Sequence, residues 1–416
     1  MAPEVSIRLV PIAAGLVFAG CGWLVGVDFE AGHVRAGDDA GDGSLANPDG
    51  EAVHDADCID CADAAIFDSD PIVAMVAAGF HTLVLTRAGK VKWWGSYVVP
   101  GGDTLVDSVV PLRVDGVSDA KSVAAGAGNG CVVTATGTVK CWGHGEVGQL
   151  GADAGSTMTP VEIAGLGAGV SSVTVGGAHA CAILASRSVK CWGLNADGEL
   201  GDSTTKSSVL PVDVRGLSDV VALSAGRYHT CALTSGGTVR CWGYNKRGQL
   251  GVSPKTFSPV PVDIVGIPEP VASLAAGETY VCILSTLGNV FCWGGIGFDP
   301  TGDSLAPVKV ERVGAAAAAS LDVFQHRCLV TTGGGAQCWG TNYQGEVGHA
   351  SAPAFVATPV DVDGLTSGVA LVAGGYLHSC ALMVGGAVKC WGSATNGALG
   401  RDAQGSYLPP VDVNGL

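Results

Sequence analysis

The sequence contains one phrase, Cys-Trp-Gly, that returns about every 50 residues over most of the chain. An altered first copy, Trp93-Trp94-Gly95, precedes six regular copies, so the sequence holds seven repeats. Self-similarity at this period is typical of proteins in which each unit buries its apolar face against its neighbours. A repeat architecture is therefore predicted, its regular copies marked by Trp142, Trp192, Trp242, Trp293, Trp339 and Trp391.

Each regular repeat carries a second cysteine ten residues before the cysteine of the phrase. The first repeat lacks both, with Leu83 and Trp93 at the same spacing. Residues that are present together and absent together are most simply partners, and a metal site would need four ligands where each repeat offers two cysteines. We therefore predict an oxidising compartment and six local disulfides: Cys131–Cys141, Cys181–Cys191, Cys231–Cys241, Cys282–Cys292, Cys328–Cys338 and Cys380–Cys390.

The clearest repeat, residues 211–251, contains four short apolar segments separated by turn residues. The third and fourth form a hairpin around the loop 235–237, which places Cys231 opposite Cys241 at a separation that a disulfide can span. The last loop position should be left-handed, and it is glycine in six repeats and Arg187 in the other. Four strands in each of seven units predict an all-β, seven-bladed β-propeller with four-stranded blades.

The two ends of the repeat region look complementary. A Pro-Val-x-Val segment occurs seven times, and its last copy lies in Pro410–Leu416, where the sequence stops. The first repeat starts at Ile72 without such a segment before it. We therefore expect the ring to close by pairing of the N- and C-terminal strands in one composite blade, which would remove the open sheet edges.

The formal net charge of −16 is concentrated in one stretch. Residues 28–70 hold 13 acids and one base, whereas residues 71–416 hold 24 acids and 20 bases. The repeat region is nearly neutral and has no basic stripe for a phosphate backbone, so nucleic-acid binding is not expected. The composition predicts an acidic disordered linker over 28–70 and the propeller over 71–416.

Residues 1–27 have the features of an export signal, because Leu9 to Val27 carry no charge and Arg8 precedes them. Phe18-Ala19-Gly20-Cys21 resembles a bacterial lipobox, which predicts lipidation of Cys21. An uncleaved membrane anchor and an ordinary cleaved signal are the alternatives. All three deliver the rest of the chain across a membrane, and we expect a membrane-anchored lipoprotein of the bacterial cell envelope that faces the periplasm or the cell surface.

The sequence carries little sign of chemistry. Cys58 and Cys61 in the linker are interpreted as a local or inter-chain disulfide. No nucleophile elbow, zinc-protease motif or phosphate loop occurs, so no catalytic residue, metal site or cofactor is predicted. Exit-loop acids at Glu146, Glu199 and Glu346 could form a glycosidase pair, but solvated turn residues are the simpler interpretation.

Histidine recurs at one position in five repeats, and such symmetry favours a structural role over a catalytic or metal-binding one. These histidines are His81, His179, His229, His326 and His378, with Asn129 and Tyr280 in the remaining repeats.

The pattern Gly-x-x-His followed by Gly-x-Val-x-x-Trp-Gly-x-Asn-x-x-Gly-x-Leu-Gly resembles the repeats of the regulator of chromosome condensation family. The resemblance runs from Ile72 to Leu416, and Asn195, Asn245 and Asn342 fill the asparagine position. It implies a seven-bladed propeller, and the paired cysteines resemble exported, lipoprotein-like bacterial members. The resemblance also implies guanine-nucleotide exchange or protein binding as activities.

The residues just before the repeat histidine vary from repeat to repeat, and in a ring they would all project from one face. Aromatic residues and arginine concentrated on one face are typical of interface anchors, although some of these side chains could instead pack inward. We expect a monomeric, non-enzymatic scaffold that binds a protein or surface polymer. The alternatives are an exchange-factor-like regulator and a polysaccharide-degrading propeller. The candidate binding face contains Phe80, Arg227, Tyr228, Glu278, Phe324, Tyr376 and Leu377.

Overall fold

The computed structural model describes residues 18–19, 22–23, 70–98, 105–152, 155–252, 256–295, 303–311, 313, 318–402 and 408–416. The expected export signal and linker lie outside these residues except for β1 (Phe18–Ala19), which pairs antiparallel with β2 (Gly22–Trp23), and Asp70. Cys21, Cys58 and Cys61 also lie outside the described residues.

The predicted seven-bladed all-β propeller is confirmed, because the described repeat region forms seven four-stranded antiparallel sheets. Each blade consists of four strands that follow one another along the chain. Blade 1 contains β3 (Ile72–Ala78), β4 (His81–Thr86), β5 (Val91–Val98) and β6 (Leu105–Arg113), and blade 2 contains β7 (Ala120–Ala125), β8 (Asn129–Thr134), β9 (Val139–Gly143) and β10 (Thr157–Glu162). Blade 3 contains β11 (Val170–Val175), β12 (His179–Leu184), β13 (Val189–Gly193) and β14 (Ser208–Asp213), and blade 4 contains β15 (Val220–Ala225), β16 (His229–Thr234), β17 (Val239–Tyr244) and β18 (Phe257–Asp263).

The remaining three blades repeat this order. Blade 5 contains β19 (Val271–Ala276), β20 (Tyr280–Ser285), β21 (Val290–Gly294) and β22 (Ser304–Lys309). Blade 6 contains β23 (Ala318–Val323), β24 (His326–Thr331), β25 (Ala336–Thr341) and β26 (Phe355–Asp361). Blade 7 contains β27 (Val369–Gly374), β28 (His378–Met383), β29 (Val388–Gly392) and β30 (Leu408–Asp412), and a single 3-10 turn lies at Thr395–Gly397. The first strands of neighbouring blades contact one another, so these strands surround the centre of the ring.

The six predicted disulfides are present, and each joins the second and third strands of its blade. In blade 4, Cys231 and Cys241 are direct partners across the hairpin with their Cα atoms 4.1 Å apart. The loop between them ends at Gly237 with a φ of 82°, and Arg187 adopts a φ of 63° at the same place in blade 3. The left-handed position predicted for this loop is therefore confirmed, including in the repeat that lacks glycine there.

The expected closure through one composite blade is wrong. β3 pairs with β4 in blade 1, and β30 pairs with β29 as the fourth strand of blade 7. The Pro-Val-x-Val segment is the outer strand that ends a blade, because each blade is built from strands that are neighbours along the chain. The ring closes through contacts between complete blades instead: Thr82 Oγ1 lies 2.9 Å from His378 Nε2, and Tyr376 N donates to Gly79 O at 2.6 Å.

The repeat tryptophans are core residues, as their pattern predicts, and they also join neighbouring blades. Trp242 Nε1 of blade 4 donates to the carbonyl oxygen of Glu199 in the exit loop of blade 3 at 2.8 Å. Trp94 makes the same bond from blade 1 to Ala398 of blade 7 at 3.1 Å. One repeated contact thus serves four interior interfaces and the junction of the first and last blades. The same bond is made by Trp192 to Gln149, Trp293 to Gln249 and Trp391 to Glu346.

Candidate binding face

The five repeat histidines are buried, and His179, His326 and His378 each bond to a hydroxyl group of the next blade. His179 Nε2 lies 2.8 Å from Thr230 Oγ1, and His326 Nε2 lies 2.5 Å from Ser379 Oγ. Burial lowers the pKa of His179 to about 4 and that of His326 to about 3, so both are neutral at ordinary pH. These contacts agree with the structural interpretation, and within the described residues no group of three or more metal-ligating side chains converges.

The exit-loop acids do not form a carboxylate pair, because they lie in different blades. Glu146 in the blade 2 loop is exposed, whereas Glu199 and Glu346 in blades 3 and 6 are fully buried. The expectation that all three are solvated is therefore wrong for the last two. Each accepts a hydrogen bond from the backbone N–H two residues earlier, at 2.8 Å. Burial raises the pKa of both, and that of Glu346 reaches about 7.

The variable residues before the repeat histidine lie in the loops between the first and second strands of the blades. Three of these loops meet through polar side chains. Arg227 of blade 4 forms an ion pair through Nη1 with Oε1 of Glu278 in blade 5. Arg227 Nη1 also donates to the Tyr376 hydroxyl of blade 7 at 2.7 Å, and this hydroxyl donates to Glu278 Oε1 at 3.2 Å. Because blades 4 and 7 are not neighbours in the ring, these side chains reach across its centre.

Aromatic side chains from two further blades pack around the same tyrosine. The Phe80 ring of blade 1 stacks on Tyr376 with centroids 5.3 Å apart and planes 14° apart. The Phe324 ring of blade 6 meets Tyr376 edge-on at 5.1 Å. We call Phe80, Arg227, Glu278, Phe324 and Tyr376 the central cluster. Five of the seven residues predicted for the candidate face are therefore brought into one contact network.

The loop of blade 6 explains why Phe324 packs inward. It has one residue fewer before the histidine than the blade 4 loop, and it lacks the glycine found there at Gly226. Phe324 N donates to His326 O at 3.0 Å, as Gly226 N donates to His229 O at 2.8 Å. The phenylalanine thus takes the backbone place of the glycine, and its side chain is only 7% exposed. Inward packing is therefore correct for Phe324, whereas Arg227 and Tyr376 remain half-buried.

The other two predicted face residues, Tyr228 and Leu377, lie beside this cluster. The Arg227 guanidinium lies 5.1 Å from the ring centre of Tyr228. Leu377 is half-buried, and its carbonyl oxygen accepts a hydrogen bond from Ser393 N at 2.8 Å. Tyr228 therefore contacts the central cluster through Arg227, whereas the contact described for Leu377 is made by its backbone.

Sequence reasoning missed the contribution of the third-strand exit loop, which opens on the same face. Tyr244 meets Tyr228 at 6.0 Å between ring centres, and Lys246 Nζ lies 5.7 Å from the Tyr244 ring. In blade 6, Gln325 lies beside Phe324 in the loop between the first two strands, and it donates from Nε2 to Glu278 Oε2 at 2.9 Å. The pairing of His229 with Gly243 brings the two loops of blade 4 together. A signal was available, because this pairing follows from the hairpin register.

Blades 2 and 3 contribute small residues to the face. Their loops carry Gly126, Ala127, Gly176 and Gly177 in place of large side chains. Together with Arg227 and Phe324 these residues line a shallow hollow at the centre of the face, which the four small residues allow to form. No acidic side chain is among the residues that line this hollow.

Asp322 is a buried carboxyl group below the central cluster. It accepts backbone hydrogen bonds from Val323 at 2.9 Å and, across the blade boundary, from Gly374 at 2.6 Å. Thr174 and Ser224 accept the equivalent bond with hydroxyl oxygens in blades 3 and 4. Burial raises the pKa of Asp322 to about 8, and the repeated geometry identifies it as a link between blades.

Among the residues that the structure describes, no helix is both long and apolar enough to cross a bilayer.

The comparisons with known proteins concern the propeller. Residues 141–416 match the RCC1-like domain family, and residues 120–149 match the regulator of chromosome condensation (RCC1) repeat. The RCC1 domain-containing protein RUG3, mitochondrial, from Arabidopsis thaliana is 32% identical over 98 residues, which span 22% of this chain and 22% of that protein.

Two solved structures share the architecture over most of the chain. Human WBSCR16 superposes with a TM-score of 0.69 at 22% identity, covering 79% of this chain and 94% of that one. Prp20p from Saccharomyces cerevisiae gives a TM-score of 0.69 at 19% identity, covering 80% of this chain and 88% of that one. These likenesses show the fold. The family match over residues 141–416 establishes that the chain belongs to the RCC1-like domain family.

Proposed function

We propose that this chain is a non-enzymatic scaffold that binds a partner protein through the loop face containing the central cluster. The observation that carries the proposal is that five side chains of four kinds, from five different blades, form one contact network at the centre of the ring. A repeated position serves the fold in every blade, whereas Arg227, Glu278 and Tyr376 each occur once. Aromatic and arginine anchors at the centre of a surface are the residues that most often dominate protein binding.

The chemistry of the face supports binding over catalysis. A hydrolase acting on a polysaccharide would need two converging carboxyl groups in a cleft that holds the sugar chain. The buried acids Glu199 and Glu346 instead accept bonds from their own loops and lie in different blades. The Glu278 carboxylate is occupied by Arg227, Tyr376 and Gln325. A surface polymer remains the alternative ligand for such a face.

Family membership supports a second candidate, a regulator that resembles the exchange factors of the family. The Prp20p structure is described together with the binding of that yeast protein to Gsp1p and histones. Nucleotide release from a purified small GTPase, measured with a fluorescent guanine nucleotide, tests this candidate. Acceleration by the purified chain would favour it over the simple scaffold.

The proposed location is the bacterial cell envelope, with Cys21 carrying a lipid anchor. The uncharged segment before the acidic stretch and the six disulfides of the propeller support export. Metabolic labelling with a fatty-acid analogue should label the wild-type protein and leave Cys21→Ser unlabelled and outside the detergent phase. A Cys21→Ser protein that stays in the membrane would instead support the uncleaved anchor.

Binding to the face is tested with two single alanine variants of the full-length protein. Chemical cross-linking in envelope extract identifies a partner, whose affinity for each purified variant is then measured. Tyr376→Ala and Phe80→Ala should each weaken binding at least about tenfold, because both remove a central anchor. Leu210→Ala is the matched control, since Leu210 is 58% exposed on the outer strand of blade 3. Equal affinities for wild type and Tyr376→Ala would contradict the proposal.

A further inference from the structure

The two outer strands of several blades carry a pair of opposite charges near the hairpin loop. In blade 3 Lys190 forms an ion pair with Asp213 at 2.8 Å, and in blade 7 Lys389 forms one with Asp412 at 2.6 Å. Blade 4 makes the same pair with an arginine. The paired residues lie directly opposite each other in the strand register. A cation on the third strand and an acid on the fourth therefore neutralise each other at this position.

Blade 1 has two cations at this position. Lys92 of β5 lies directly opposite Arg113 of β6, so two positive charges face each other where three other blades pair a cation with an acid. Like charges at directly opposed positions of an antiparallel sheet repel each other. Arg113 is exposed, and among the described residues it forms no ion pair, either with Asp115 nearby in the sequence or with another acid. This end of blade 1 therefore attracts negative charge.

The chain enters the propeller at the same end of blade 1. Asp70 Oδ1 accepts a hydrogen bond from Ala88 N at 2.9 Å, and Pro71 O accepts one from Arg87 N at 2.9 Å. Both acceptors are therefore held against the hairpin loop that joins β4 to β5. Asp70 is the last of the 13 acids in residues 28–70, which hold one base. A strongly acidic segment thus meets the propeller beside the opposed cations.

The acids that come just before Asp70 can reach Arg113. The residue that donates to Asp70 lies four positions before Lys92, and the strands of Lys92 and Arg113 are neighbours, so the path between the two places is about 20 Å or less. Asp68 and Asp63 precede Asp70 by two and seven residues, and seven residues span up to about 23–25 Å. Covalent connection also gives these acids an effective concentration of about millimolar order at the cations.

We propose that the acidic segment docks on the opposed cations of blade 1, with Asp63 and Asp68 as its contacts to Arg113. The occupant of this surface is therefore a segment of the chain itself. The loops that contain the central cluster lie at the opposite ends of the strands from the hairpin loop. Docking thus keeps the acidic segment on the side of the propeller that faces away from the central cluster. This inference does not depend on which partner the loop face binds.

An endoproteinase that cleaves before aspartate tests the docking in the full-length protein. Mass spectrometry compares the rate of cleavage before Asp63 and Asp68 with the rate before Asp42 and Asp49, which lie further from the propeller in the sequence. The ratio of the two rates removes any general effect on the protease. In wild type this ratio should rise about threefold or more between ionic strengths of about 0.01 M and about 1 M, because salt screens an exposed charge contact.

Three variants separate docking on blade 1 from a general change of charge. Arg113→Asp gives blade 1 the cation–acid arrangement of blade 3, so it should raise the cleavage ratio about threefold at low salt. Arg113→Lys keeps the positive charge and should leave the ratio within about 1.5-fold of wild type. Arg215→Asp is the matched control, because Arg215 is also exposed and lies two residues after the outer strand of blade 3. It should leave the ratio unchanged.

The double variant Asp63→Asn/Asp68→Asn provides a second measurement. At low salt it should lower the melting temperature by about 1–2 °C in the wild-type background and leave it unchanged in the Arg113→Asp background, where the contact is already absent. Equal cleavage ratios for wild type and Arg113→Asp would overturn the proposal, as would equal melting shifts in the two backgrounds. Equal loss of protection in Arg113→Asp and Arg215→Asp would also overturn it, because the attraction would then not be specific to blade 1.

Discussion

Blade 1 and blade 7 meet at the closure of the ring and are held together internally by different means. Blade 7 has the Cys380–Cys390 disulfide across its central hairpin, whereas blade 1 has Leu83 opposite Trp93 in the same register. Trp93 packs edge-on against Tyr97 at 5.0 Å and is 5% exposed. The comparison teaches that the disulfide does not determine the strand register. Apolar packing replaces it at the position where the chain enters the ring.

The largest effect is expected from deleting Pro410–Leu416, which removes most of the outer strand of blade 7. Val413 is 9% exposed and packs with partly buried Val411 in the cluster shared by blades 7 and 1. Losing both side chains should reduce the free energy of unfolding by about 3–6 kcal/mol, and it exposes the edge of β29. Thermal denaturation and light scattering measure the loss and any self-association. An unchanged melting temperature would show that blade 7 does not need its outer strand.

Trp93→Ala tests the packing that replaces the disulfide in blade 1. Removing this buried ring should reduce the free energy of unfolding by about 3–5 kcal/mol, because the cavity cannot fully collapse. Chemical denaturation measures the change. Trp93→Phe is the milder companion, and a loss as large as that of alanine would indicate a specific role for the indole instead of packing.

The matching change in blade 7 is the double variant Cys380→Ala/Cys390→Ala. Loop entropy predicts a loss of about 2–3 kcal/mol for a bridge that closes a loop of this length. The expected order is therefore Trp93→Ala above the double cysteine variant, measured in the same denaturant series. The reverse order would mean that blade 1 is the less important of the two for stability.

Thr82→Val tests the contact where these blades meet. Valine keeps the shape but removes the hydroxyl that lies 2.9 Å from His378 Nε2. The expected loss is about 1–2 kcal/mol, because a buried histidine nitrogen loses its partner. Blades 4 and 5 provide the natural counterpart, since Val281 occupies the equivalent place beside His229. Val281→Thr should therefore gain stability or leave it unchanged, and a loss would contradict this account of the junction.

The smallest effect on the free energy of unfolding, for each group involved, is expected from lowering the pH from 7 to 6. Burial lowers the pKa of His378 to about 4 and that of His81 to about 3, while an unfolded histidine titrates near 6.5. The stabilisation is fully present above 6.5 and is lost as the pH falls toward the folded values, because the unfolded chain binds the extra protons. Between pH 7 and 6 each histidine should cost about 1 kcal/mol or less, whereas buried Asp322, with its pKa raised to about 8, adds stability over the same interval. Melting curves of wild type and the exposed-site control His349→Gln should shift together, and a shift abolished in His349→Gln would reject the buried groups as its origin.

Most of the fold followed from the sequence because its signals are local and repeated. The paired cysteines, the hairpin loop and the four segments per repeat each specify contacts between residues close along the chain. The closure was missed because a Pro-Val-x-Val segment can be assigned equally well to the blade before it or after it. The pairing of β30 with β29 decides the assignment. The spacing of the repeats does not show at which residue each blade begins.

The candidate site was predictable as a set of positions and not as a network. Repeat alignment identifies the variable residues before each histidine and places them on one face. It cannot show that Arg227 reaches Tyr376 across the ring, because that contact depends on side-chain lengths and on the space left by neighbouring loops. The inward turn of Phe324 depends on a single missing residue in its loop. Tyr244 and Lys246 were overlooked because they lie at the end of the third strand of blade 4 and in the loop after it, away from the residues that precede the histidine.

The tryptophan bonds also have a consequence for the order in which the chain can assemble. The indoles of Trp192, Trp242, Trp293 and Trp391 each donate to a carbonyl oxygen of the blade synthesised just before, so blades 3, 4, 5 and 7 can each find their acceptor as they emerge. Trp94 is the exception, because its acceptor at Ala398 is made about 300 residues later. The bond from Trp94 can therefore form only after the last blade has been synthesised, and a prematurely terminated chain leaves this donor without its native partner.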